Sequence, residues 1–158
     1  MFRIGFAYDA HRLTKGRDLI LGGVKISYPK GLLGHSDADV LTHAIGEAIL
    51  GALSLGDLGK HFPDTDEKYK GISSLKILSM INKMAKKEKA EIINIDSTIV
   101  AEEPKLSSYL MEMRKNIADV LKINVNQVSV KATTTEGMGF AGRKEGISAY
   151  AVVLVEMK

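Results

Sequence analysis

One stretch, GHSDADVLTHAIGE at positions 34–47, restricts this chain more than any other. It holds two of the chain's four histidines, His35 and His43, with Ser36, Asp37 and Asp39 between them. It runs straight into an apolar segment, Val40–Leu53, that reads as a helix buried on most sides. A short oxygen-bearing side chain accepts from the free N–H groups of a first helical turn, so Ser36 or Asp37 is expected to cap this helix. Asp39, His43 and Glu47 recur one turn apart and share a helical face. A polar stripe on so apolar a helix has two explanations. Either His43 is a core histidine bonded to Asp39, as buried polar groups usually are, or it is one ligand of a metal site.

The second explanation needs partners, and Tyr8-Asp9-Ala10-His11 supplies them. In an extended chain Asp9 and His11 point to the same side. Two ligands on a strand and one on a helix make an open three-ligand site, the arrangement of a catalytic zinc with a position left for substrate or water.

The remaining elements follow from periodicity and turn residues. Phe2–Ala10 reads as a strand with Phe2, Ile4, Phe6 and Tyr8 on one face, ending at the proposed ligands. Leu19–Leu21 and Val24–Ile26 flank Gly22-Gly23, a hairpin signal. Tyr28–Gly31 reads as a turn. Gly46 and Gly51 lower helix propensity, for which close approach of another backbone is the expected reason. The span 56–66 is a loop rich in Gly, Pro and Asp, either a solvated loop or a lid over a polyol or cation; His61 within it reads as a surface histidine. A second helix begins near Ser73 or Ser74, with Leu75, Leu78, Ile81 and Ala85 at helical spacing. Glu91–Val100 is a strand with Ile93, Ile95 and Ile99 on one face. A third helix, Ser107–Leu121, carries the stripe Leu106, Leu110, Met113, Ile117, Val120 and Leu121. Strands at Val128–Ala132 and Ile147–Glu156 flank a loop with glycines at 137, 139, 142 and 146. This order predicts one α+β domain over 1–158, a mixed sheet with helices on one face and a small hairpin.

Composition removes several classes. No apolar run reaches the ~20 residues of a membrane-spanning helix. The N-terminus enters a strand pattern with no signal-peptide layout, and there is no cysteine; both lead to a cytoplasmic expectation. The net charge of +3 is partly local, in Lys83, Lys86, Lys87 and Lys89. That cluster reads as a solvated helix end that suits the helix dipole. No aromatic interleaving makes it a nucleic-acid surface.

Lys131–Glu136 (KATTTE), followed by Arg143, has the makings of a phosphate site or of a β-prone strand end. Glu136 suits a phosphate only with a divalent cation between them, and Mg²⁺ is commonly held by carboxylates together with substrate phosphates.

Taken in order, Asp9-Ala10-His11, Gly31–Val40, His43, Leu55–Gly59, Phe62–Asp66, Lys131–Glu136 and Gly139–Gly146 resemble the 2-C-methyl-D-erythritol 2,4-cyclodiphosphate synthase family from end to end. Ala7 and Ala10 depart from the family's usual Gly and Val, and neither removes a ligand. The resemblance implies a phosphorus–oxygen lyase of the non-mevalonate route to isoprenoids. It would convert 4-diphosphocytidyl-2-C-methyl-D-erythritol 2-phosphate to the 2,4-cyclodiphosphate and release CMP. Asp9, His11 and His43 would bind Zn²⁺ or another divalent transition metal, with Asp39 behind them orienting a metal-bound histidine. Glu136 would bind Mg²⁺ or Mn²⁺. His35, Thr134 and Glu136 would be catalytic. Substrate would meet Asp9, His11, His35, Ser36, Asp57, Gly59, Phe62, Asp64 and Asp66 on one side. Pro104, Lys105, Leu106, Ala132, Thr133 and Thr134 would enclose its cytidine diphosphate arm.

The resemblance further implies a homotrimer with sheets facing inward, sites between subunits, and no nucleic-acid or membrane partner. Phe140, Arg143 and Glu145 would lie near the mouth of a central cavity that holds an isoprenoid diphosphate in some members. Two other functions use the same residues: a zinc-dependent nucleotide diphosphate hydrolase, and a non-catalytic nucleotide-binding scaffold. The hydrolase would place solvent oxygen in its product.

Overall fold

The computed structural model describes residues 1–158 as one α+β domain. Its strands are β1 (Phe2–Lys15), β2 (Leu19–Leu21), β3 (Val24–Ile26), β4 (Lys30–Leu32), β5 (Ala90–Val100), β6 (Val128–Thr133) and β7 (Gly146–Met157). Its helices are α1 (Val40–Ala52), α2 (Leu58–His61), α3 (Ser74–Lys87), α4 (Leu110–Leu121) and α5 (Gly139–Gly142). The main sheet has the order β4-β1-β7-β5-β6, and β2-β3 form a separate hairpin. Only β5 and β6 pair in parallel, with α4 in the crossover between them. No helix is long and apolar enough to cross a membrane.

The helices cover one face of the sheet. In β1 the covered side is Gly5, Ala7 and Leu13, all buried. The opposite side carries Phe2, Ile4 and Phe6, which are 62%, 71% and 62% exposed. The expected aromatic face of β1 is real, but it is the open face. The side facing the helices is nearly bare of side-chain bulk because α1 lies so close. A Cβ added at Gly5 would sit 1.8 Å from the carbonyl oxygen of Ala48. Small residues on α1, Ala44, Ala48 and Ala52, are buried in the same layer. Helix α1 is thus held between the sheet and α3, buried around most of its circumference.

Several sequence expectations change in detail. Strand β1 continues five residues past Ala10, because its far end pairs with β4, so Lys30 and Gly31 belong to a strand and not a free turn. In β5 the buried isoleucines are Ile92, Ile95 and Ile99; a bulge between Ile92 and Asn94 leaves Ile93 off the covered face. Strict alternation cannot anticipate a bulge, which inserts one residue and shifts the pattern. Helix α4 begins at Leu110, after a turn in which the Tyr109 N–H donates to Leu106 C=O at 2.9 Å. Gly46 makes room for the Ile81 side chain of α3, 2.7 Å from where a Cβ would stand, and not for a backbone; Gly51 meets nothing within 4 Å.

The N-cap of α1 is Asp39, not Ser36 or Asp37. Asp39 is fully buried and accepts from Thr42 N at 3.0 Å and Thr42 Oγ1 at 2.7 Å. It also accepts from the hairpin-turn amides of Gly22 at 2.9 Å and Gly23 at 2.8 Å. Asp37 caps the other helix: its Oδ2 accepts from Ser74 N, the first residue of α3, at 3.0 Å. A carboxylate is well placed at each helix N-terminus.

Candidate metal and substrate site

Strand β1 and helix α1 bring Asp9, His11 and His43 together. Their ligand atoms form a small triangle: His11 Nε2 to Asp9 Oδ2 3.0 Å, His43 Nδ1 to Asp9 Oδ2 3.2 Å, and His11 Nε2 to His43 Nδ1 3.3 Å. Ligand atoms about 2.0–2.1 Å from a tetrahedral zinc stand about 3.3 Å apart, so the triangle has the size of one tetrahedral face. The donor set, two imidazoles and a carboxylate, suits a divalent transition metal.

The other ring atom of each histidine is also held. His11 Nδ1 donates to the carbonyl of Leu33 at 2.8 Å, which leaves Nε2 bare for a metal. Gly34 is needed beside it, since a Cβ there would lie 3.2 Å from the His11 ring and 2.9 Å from Ala38 Cβ. His43 Nε2 faces two hydroxyls, Ser74 Oγ at 2.8 Å and Ser36 Oγ at 3.1 Å.

Burial works against the charge on Asp9, but hydrogen bonds and positive charge from His11 and His43 outweigh it and hold the carboxyl well below the usual range. Burial likewise works against a charged His11, and the bond to Asp9 overcomes it, so His11 is pushed above 6.5. Without a metal, Asp9 makes His11 hold its proton more tightly than a free imidazole does.

Asp39 does not stand behind either histidine. Its recorded partners are Thr42, Gly22 and Gly23, so it anchors the hairpin to α1. The carboxylate expected behind His43 is replaced by Ser74 and, behind it, Asp37. Asp37 stands out in the sequence only as one more acidic residue of its stretch. Ser74, thirty-odd positions away, carries no signal beyond its helix-capping character.

The metal corner forms one wall of a cavity of about 640 Å³. The structure brings His35, Ser36, Gly59, Phe62 and Asp64 to its lining, together with Tyr8, with Glu47 from the polar stripe of α1, and with Tyr69, which sequence reasoning did not single out. Asp57 and Asp66 lie just outside and serve as local caps, accepting from Lys60 N at 2.9 Å and Lys68 N at 3.0 Å. His35 is tied to the same loop, its Nε2 donating to Asp66 C=O at 3.0 Å. His61 donates to Leu55 C=O at 2.9 Å and takes no part in the metal corner.

The other half of the expected site is elsewhere in the chain. Pro104, Lys105, Leu106, Ala132, Thr133 and Thr134 line a second cavity of about 500 Å³, which shares no residue with the first. Asp9 pairs with Ala149, Ala149 with Ile99 and Ile99 with Ala132, so three strand spacings separate Asp9 from Ala132. At about 4.8 Å each this is about 14 Å. Glu136 is exposed beside the second cavity and accepts from Thr134 Oγ1 at 3.2 Å. Phe140 lines a small hollow with Ala10, Arg12 and Glu145, and Arg143 pairs with Glu145 at 2.8 Å.

An α+β domain with an open three-ligand corner at a cavity wall is the layout of a metal-dependent enzyme acting on a small molecule. The chain belongs to the YgbB family, whose model matches residues 2–156, the family of the 2-C-methyl-D-erythritol 2,4-cyclodiphosphate synthases. It is 61% identical over 153 residues to the synthase of Alkaliphilus metalliredigens, covering 97% of this chain and 96% of that one. It is 59% identical over 154 residues to that of Syntrophomonas wolfei, covering 98% of each. Among solved structures it resembles the bifunctional IspDF of Campylobacter jejuni, with a TM-score of 0.96 and 40% identity. That likeness covers all of this chain and 43% of the longer one. It also resembles the CDP complex of IspF from Plasmodium falciparum, with a TM-score of 0.87, 36% identity, and 99% and 97% of the two chains covered.

Proposed function

We propose that this chain converts 4-diphosphocytidyl-2-C-methyl-D-erythritol 2-phosphate to 2-C-methyl-D-erythritol 2,4-cyclodiphosphate and CMP. The observation that carries this reading is the metal-sized triangle of Asp9, His11 and His43 on the wall of a cavity, in a chain about 60% identical to synthases of that name. An oxygen of the 2-phosphate attacks the β-phosphorus. The bond from that phosphorus to the oxygen bridging it to the α-phosphate breaks, and CMP leaves with that oxygen. Nucleophile and electrophile belong to one molecule, so the protein's tasks are to fold the substrate and offset its charge.

His35 and Ser36, on the loop that closes the metal cavity, hold the 2-phosphate. Asp57, Gly59, Asp64 and Asp66 hold the erythritol hydroxyls, and Phe62 closes the wall. Pro104–Leu106 and Ala132–Thr134 enclose the cytidine diphosphate, and Thr134 donates to a phosphate oxygen. A divalent metal, zinc in our reading, supplies Lewis-acid polarisation of a phosphoryl oxygen when bound by Asp9, His11 and His43. Glu136 is the carboxylate for a Mg²⁺ or Mn²⁺ shared with the substrate phosphates.

The two half-sites, about 14 Å apart across the sheet, are completed by neighbouring subunits of a homotrimer. Support comes from the open sheet face: Phe2, Ile4, Phe6, Tyr8, Tyr150 and Val152 are all exposed large apolar side chains on two adjacent strands. Apolar surface gathered in this way marks an interface. In the trimer these faces surround a central space, with Phe140 and Arg143 toward its mouth as contacts for an isoprenoid diphosphate. The working compartment in this reading is the cytoplasm, in keeping with the absence of cysteine.

Phosphorus NMR of the purified protein with substrate and Mg²⁺ tests the reaction. CMP and a cyclic diphosphate should form, vanish with a zinc chelator and return with Zn²⁺. Reaction in ¹⁸O-water should leave the product unlabelled. An open-chain, labelled diphosphate would instead identify a hydrolase.

A further inference from the structure

The pair behind His43 has a role that follows from counting hydrogens. The Asp37 carboxylate accepts from Ser74 N at 3.0 Å and Asp39 N at 3.2 Å, and lies in close contact with the Ser74 hydroxyl through Oδ1. Three donors converge on it, so it acts as an acceptor-only carboxylate. Ser74 has one hydroxyl hydrogen, and Asp37 takes it. Ser74 is fully buried, so no water competes. What Ser74 Oγ has left to offer His43 Nε2, 2.8 Å away, is a lone pair. Nε2 must therefore carry the hydrogen. In a neutral imidazole the other nitrogen, Nδ1, is then bare, and Nδ1 is the atom that completes the triangle with Asp9 and His11.

We infer that Asp37 and Ser74 are positioning residues that fix the tautomer and ring orientation of His43 for metal binding. The inference rests on the metal-site reading above. It also explains why Asp37 caps α3: the same carboxylate sets the start of that helix and the direction of the Ser74 hydroxyl. With Asp37 gone, the hydroxyl is free to turn and donate to Nε2, which favours the tautomer with hydrogen on Nδ1 and closes that nitrogen to a metal. Ser36 Oγ, at 3.1 Å, cannot substitute fully; it lies farther away and also accepts from Ala38 N at 3.2 Å.

The test is zinc affinity, measured on the purified full-length protein by competition with a chromogenic chelator. Losing a group that orients a ligand typically costs 10–100-fold in metal affinity. Ser74→Ala is expected to weaken zinc by that range, Asp37→Asn by a smaller factor, and Ser74→Thr, which keeps the hydroxyl, to stay near wild type. In the zinc-loaded wild type a slowly exchanging imidazole N–H proton assigned to His43 Nε2 should be visible by NMR, and it should exchange faster in Ser74→Ala. Wild-type zinc affinity in folded Ser74→Ala would overturn the inference and leave Ser74 a helix-terminus residue only. If Ser74→Ala does not fold, Asp37→Asn decides, and unchanged affinity there overturns it equally. Asp9→Asn separates the two readings. If it too binds zinc like wild type, the metal site itself is wrong. If it loses zinc while Ser74→Ala and Asp37→Asn do not, only the positioning role fails.

Discussion

The buried carboxylate of Asp39 accepts the Gly22 amide at 2.9 Å while capping α1 through Thr42 N at 3.0 Å, joining the hairpin turn to the helix that carries His43. Removing it leaves the amides of Gly22, Gly23 and Thr42 without their acceptor. Unsatisfied buried groups cost about 1–3 kcal/mol each, with partial relief from water entry. Asp39→Ala is expected to lose about 3–5 kcal/mol in urea unfolding. Asp39→Asn, which keeps the shape and one acceptor, should lose less and should bind zinc with close to wild-type affinity once folded. A metal-affinity loss that outruns the stability loss would return Asp39 to the metal site.

Contact between α1 and β1 leaves no space for a side chain at Gly5, where a Cβ would overlap Ala48 C=O at 1.8 Å and approach Ala52 N at 2.8 Å. Both atoms are backbone, so relief requires moving the helix. Gly5→Ala should destabilise by about 3 kcal/mol. Because His43 rides on α1 and Asp9 and His11 on β1, the same shift should widen the ligand triangle. Reduced zinc affinity in the folded variant, by chelator competition, is the expected result; Gly51→Ala, which faces open space, is the control.

The ligand cluster predicts opposite pH trends with and without metal. His11 is raised above 6.5, so the metal-free folded protein holds a proton the unfolded chain gives up. That contribution is fully present below pH 6.5 and fades as pH rises through the folded value. Asp9 is depressed, so its contribution is present above 3.8 and fades as pH falls toward its lower folded value. Within these two contributions, metal-free protein is most stable between 3.8 and 6.5. Zinc displaces the proton, so the stabilisation it adds should grow from pH 6 to 8. Thermal melts of metal-free and zinc-loaded protein across that range check both slopes; parallel curves would contradict the arrangement.

Separation of the two cavities gives a complementation experiment. Asp9→Asn inactivates the metal half and Thr134→Ala weakens the nucleotide half. If each site takes one half from each of two neighbours, subunits of both kinds mixed equally and reassembled rebuild a quarter of the sites, those with an intact half from each side. Activity should rise to about a quarter of wild type from two weak parents. No recovery after subunit exchange, verified by mass, would place the complete site within one chain.

How much of this was readable in advance differs from element to element. The hairpin at Gly22-Gly23, helix α1 and the α4 stripe follow from local rules, because turn chemistry and a 3.6-residue period are properties of neighbouring residues. The triangle of Asp9, His11 and His43 was legible for the same reason: two ligands share one strand face and the third sits on the helix next to a run of polar residues. The bulge at Ile93 and the open side of β1 were not. Phe2, Ile4 and Phe6 alternate as a core-facing strand would, and only the close approach of α1 at Gly5 shows that the helices chose the other side.

Residue kind and short-range spacing were enough for most element types and for the three clustered ligands, and the order of motifs along the whole chain was enough for the family. The tertiary structure decided which carboxylate does what. Asp37 and Asp39 differ by two positions and look alike in the chain, yet one reaches α3 and Ser74 and the other reaches the hairpin. Hydrogen bonds end within about 3 Å, so their partners are fixed by how distant segments pack and not by the neighbours a residue has in sequence.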